Sequence, residues 1–83
     1  MEWMRESFGG REVEVIDFQD VTSGEHVLEF RDTAWRSNEA VLAISVPDGG
    51  SWSDAVVSVN PHRGDVPVTF MIWAIGVAEG KMH

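Results

Sequence analysis

An all-β fold, a small antiparallel meander of five or six strands closing into a barrel or sandwich, is what this sequence predicts. Three observations predict it. Apolar residues recur mostly with period two, Val and Ile dominate those runs, and Gly-, Asp- and Pro-rich turn signals separate them at short intervals. The chain of 83 residues is expected to form a single domain over 1–83. At that size the stability margin is thin.

The elements follow in order. Gly9-Gly10 is a two-residue hairpin signal between Glu2–Phe8 and Arg11–Phe18. In the second of these runs Val13 and Val15 oppose Glu12 and Glu14, and then Ile16 and Phe18 appear on the other face. That strand must bulge or become two-sided near Asp17. Asp20–Gly24 reads as a loop. Segment 25–36 reads as a strand with His26, Leu28 and Phe30 on one face. A helix is its alternative: Val27, Leu28, Phe30, Ala34 and Trp35 share a helical side, and Thr22-x-x-Glu25 matches a capping box. Arg31 inside that stripe, and repulsion of Glu25 and Glu29 at i, i+4, favour the strand. Glu39–Val46 and Ala55–Asn60 alternate as further strands, divided by the turn Pro47-Asp48-Gly49-Gly50-Ser51. Asn60–Asp65 is the last turn. The final run, 66–78, reads as a strand apolar on both faces: Phe70 and Ile72 on one, Met71, Trp73 and Ile75 on the other. Such a strand is either central to the core or covered by another chain. Met71, Trp73 and Ile75 are therefore the expected oligomer interface, and a homo-oligomer is expected.

Composition narrows the function. Lys and Arg number 6 against 14 Asp and Glu, net −8, with ten of the acids in residues 1–41. That sign argues against a nucleic-acid backbone binder and for a protein partner with a basic surface. The chain has no cysteine, which removes disulfides and thiolate chemistry. No basic leader precedes an apolar core, and Val66–Ala78 is shorter than the roughly 20 residues of a membrane helix. The expectation is a cytoplasmic protein with no membrane contact.

Chemistry-bearing motifs are sparse. Histidines stand at 26, 62 and 83, and serines are frequent, yet no Gly-x-Ser-x-Gly elbow occurs. Asp17 with Asp20, or Asp48 with Asp54, supplies too few oxygens for calcium, which takes six to eight or so. No enzyme activity, metal or cofactor is expected. Arg63-Gly64-Asp65 spells an adhesion tripeptide, but in an Asn-Pro…Gly turn these are ordinary turn residues. Trp52, among Asp, Gly and Ser, suits either a contact anchor or a plug over the core.

These observations favour a small acidic binding protein that occludes a basic surface of a partner, of the immunity-protein or phage anti-defence inhibitor type. Glu12, Glu14, Asp17 and Asp20 are the expected steering acids, with Trp52 and Arg63 as contact residues. Two alternatives stand beside it. One is a structural subunit of a phage particle or other symmetric assembly, and the other is a carbohydrate- or small-ligand-binding module using Trp52.

Overall fold

Five strands hydrogen-bond in chain order, β1-β2-β3-β4-β5, as an antiparallel meander. The structure is a computed structural model and describes residues 1–33 and 39–82. The strands are β1 (Glu2–Phe8), β2 (Arg11–Gln19), β3 (His26–Asp32), β4 (Leu42–Val46) and β5 (Val56–Val59). A 3-10 turn, Trp52–Asp54, precedes β5, and one helix, α1 (Val68–Met82), follows it.

Local chemistry explains each connection. Gly9 and Gly10 take φ of 56° and 77°, which closes the β1–β2 hairpin with Phe8 opposite Arg11. Asp20 Oδ1 accepts from the amides of Thr22 and Ser23 at 2.8 and 3.2 Å, an Asx turn that leads into β3. Asp54 caps the 3-10 turn by accepting from Ser51 N at 3.0 Å. Asn60 donates to Ala40 O and accepts from His62 N, both at 2.9 Å, which fastens the last turn to the sheet.

Register divides the side chains between two faces. Met4, Val15, Phe30 and Leu42 stand in one cross-strand row, and Leu28 and Ile44 adjoin it. This face meets Phe70, Ala74 and Ala78 of α1, and together they form the core. Burying each large apolar side chain here stabilises the fold by about 1.5–3 kcal/mol. β2 holds one register throughout, so no bulge forms. The strand is two-sided instead: Ile16, 2% exposed, lies on the opposite face between Trp3 and Glu29.

Two expectations are corrected. Segment 66–78 is not a strand; residues 68–82 form α1. Phe70, Ala74 and Ala78 recur every four residues, and the two alanines let the helix lie close on the sheet. Pro67 stands just before the first helical residue, and its carbonyl accepts from Met71 N at 3.1 Å. Barrel closure is not found either. β1 and β5 are the two edges of an open sheet, and a helix covers one face. In segment 25–36 the strand reading holds for His26–Asp32, while 34–38 lie outside the described residues.

Candidate interaction surface

In a meander the second and fourth connections lie at the same end of the sheet, together with the start of β1. Here that end carries Glu2, Asp17, Asp20, Glu25, Asp48 and Asp54. Glu2 lies directly across from Asp17, so two like charges share one rung. The two turns touch: a Cβ added to Gly24 would lie 2.8 Å from Asp48 Cγ. The base set among these acids is His26, whose Nε2 lies 2.6 Å from Asp17 Oδ1. The protein's net negative charge is therefore concentrated at this end of the sheet.

The opposite end is close to balanced. Asp32, only 8% exposed, takes a hydrogen bond from Arg11 and has Arg63 Nη2 at 3.9 Å. Arg63 is thus a clasp that holds the 60–65 turn against β3. The uncovered face of the sheet is also internally paired. Arg5 contacts Glu12 at 3.3 Å, Arg31 contacts Glu29 at 3.1 Å, and Glu14 stands between Arg5 and Arg31 on the neighbouring strands. Glu12 and Glu14 accordingly do not join the acidic end, whereas Asp17 and Asp20 do.

The tryptophans separate by role. Trp73 stacks into Phe8, Phe30 and Phe70, with ring centroids 5.2, 5.9 and 5.6 Å away. Trp52 is half-buried against the core beside Ile44, Ala55, Val57 and Ile75. Met71 is half-buried too, and Ile75, one turn further along the same side of α1, is 37% exposed, whereas helical spacing sets Trp73 on another side. Among the described tryptophans Trp3 is the exposed one, 54% accessible on the uncovered face next to the acidic end, with the Arg31 guanidinium 5.7 Å from its ring. Trp35 and His83 lie outside the described residues.

Sequence reasoning missed Trp3, Glu2, Glu25, Asp48 and Asp54 as neighbours. The signal was present: once a meander is predicted, the parity of its turns places the acids of turns 20–24 and 47–51 together. Among the described residues no group of three or more His, Asp or Glu is placed to hold a metal ion. A small cavity of about 50 Å³ lies under Val66 and Pro67, and a wide, open one of about 610 Å³ at the acidic end is lined by Glu2, Asp17, Phe18, Gln19 and His26. No helix among the described residues is long and apolar enough to cross a membrane. No protein-family model, curated protein or solved structure matches the chain.

Proposed function

We propose that this protein is a small, non-enzymatic binding module that docks on a basic surface of a partner protein and occludes it, as immunity proteins and phage anti-defence inhibitors do. One observation carries the reading: six carboxylates gather at one end of the sheet, one of them, Asp17, paired with His26. Such an end raises the encounter rate with a basic surface and is screened within about 8 Å at physiological salt. Trp3, exposed beside those acids, is the apolar anchor that holds the partner once it has docked.

Immobilised protein is expected to capture a partner from lysate at low salt, and capture should weaken about tenfold or more as salt approaches 1 M. Absence of any partner at both salt levels would end this reading. A structural subunit of a symmetric assembly is the second reading, favoured by the exposed Val68 and Ile72 on α1. Sedimentation of a stable monomer at high micromolar concentration would remove it.

A further inference from the structure

Helix α1 is apolar on both sides. Phe70, Ala74 and Ala78 are buried against the sheet, while Val68, Ile72 and Ile75, at i, i+4 and i+7, are 71%, 64% and 37% exposed. A helix that is apolar all round is ordinarily covered all round. Edge strand β5 poses the same question. Its sequence Val-Val-Ser-Val is exposed along its length and carries no charge, whereas edge strand β1 carries Glu2, Arg5 and Glu6.

The two features adjoin. Register puts Val57 and Val59 on the helix side of the sheet, opposite Ile44 and Leu42. Val57 and Ile75 line one groove of about 190 Å³ together with Ile44, Trp52 and Ala55. Helix α1 lies over β3. β5 is two strands further on, about 10 Å away. Packed helices lie about 8–10 Å apart. The groove above β5 therefore has the lateral spacing of a second helix laid beside α1.

Charge identifies what fits there. The groove is apolar, and two carboxylates adjoin its lining residues in the chain: Asp54, next to Ala55, and Glu79, one turn beyond Ile75 on α1. Neither is ion-paired among the described residues. A second copy of this chain would offer α1 itself, whose outer stripe ends in Glu79, and would set carboxylate against carboxylate. We propose that the groove seats a short amphipathic helix of a partner protein, apolar toward β5 and Lys- or Arg-bearing on its outer side. β5 spans about 13 Å, which two to three helical turns match. The inference deepens the reading above and rests on it for the basic character of the partner.

The probe is a synthetic 14-residue peptide or thereabouts, with Leu at i, i+3, i+4 and i+7 and Lys elsewhere. Its order-scrambled form is the control, and calorimetry reads binding. The ordered peptide should bind wild type at least about tenfold more tightly than the scrambled one. Val57→Asp and Ile75→Glu should each weaken it by a similar factor, although both add attractive charge. Circular dichroism checks their folding, and Val57→Ser serves where the acid disturbs the sheet. Equal binding of the scrambled peptide, or full binding by folded Val57→Asp and Val57→Ser, would overturn the seat. So would a concentration-dependent dimer that Val57→Asp dissolves, because a second copy would then occupy the groove. Glu2→Gln/Glu25→Gln/Asp48→Asn separates the two ideas. If it loses the natural partner while the groove variants keep it, the seat fails and the acidic docking surface stands.

Discussion

Trp73 is held by three aromatic rings at centroid distances between 5.2 and 5.9 Å, and each is on a different element. Phe8 ends β1, Phe30 lies in central strand β3, and Phe70 opens α1. Trp73→Ala leaves a cavity where they meet and should cost about 3–5 kcal/mol in chemical denaturation. Trp3→Ala, on the exposed face, should cost less, about 1–2 kcal/mol, since it removes the contact with Arg31 and part of the cover over Ile16 but opens no enclosed cavity. Equal losses at the two sites would show that their burial is misassigned. Four tryptophans are plain in the sequence, but which one is wet depends on the period of its segment and on what covers the other face. Gly24 is a second residue-level case. Its φ is +78°, and Asp48 already occupies the space a Cβ needs. Gly24→Ala should destabilise by about 1–2 kcal/mol from the backbone alone. Adding Asp48→Gly should recover the steric part, an interaction that a double-mutant cycle reads directly.

At the scale of elements, the strands were legible and the helix was not. β1 to β5 alternate because one face meets α1 and the other does not, and that alternation is visible in Val13, Val15, Leu28, Phe30, Leu42 and Ile44. The run from Val66 to Ala78 has apolar residues at nearly every position, so period two and period 3.6 fit it equally well. Its length was the better guide. Strands of this kind run about 4–8 residues and helices at least about 10–12. Alanine at 74 and 78 and glycine at 76 also suit a helix lying close on a sheet more than a β-branched strand. Gly76 tests the helix. It is exposed, in the interior of α1, and a Cβ there meets nothing within 4 Å. Gly76→Ala should stabilise the protein by about 0.5–1 kcal/mol and raise the helical signal in circular dichroism. A loss of stability would show that this stretch is not helical, or that its outer side is already occupied.

At the scale of the whole molecule, net charge was readable from composition but its placement required the topology. The sequence favours residues 1–41 as the acidic surface, and Glu12 and Glu14 belong to that half. On the sheet Glu12 pairs with Arg5 and Glu14 stands between Arg5 and Arg31, while Asp48 and Asp54 from the less acidic half join Glu2, Asp17, Asp20 and Glu25. A linear count of charge cannot anticipate this, because cross-strand pairing brings residues together that are 20 to 40 positions apart, or thereabouts. The acidic end is the centre of the functional reading, and its contribution is to encounter rather than to residence. The most direct measurement is the association rate of the captured partner on wild type and on Glu2→Gln/Glu25→Gln/Asp48→Asn, none of which makes a side-chain hydrogen bond among the described residues. The expected result is an association rate lower in the variant by about tenfold at 0.05 M salt and similar to wild type at 0.5 M, with dissociation rates nearly unchanged. Equal association rates at low salt would contradict the account.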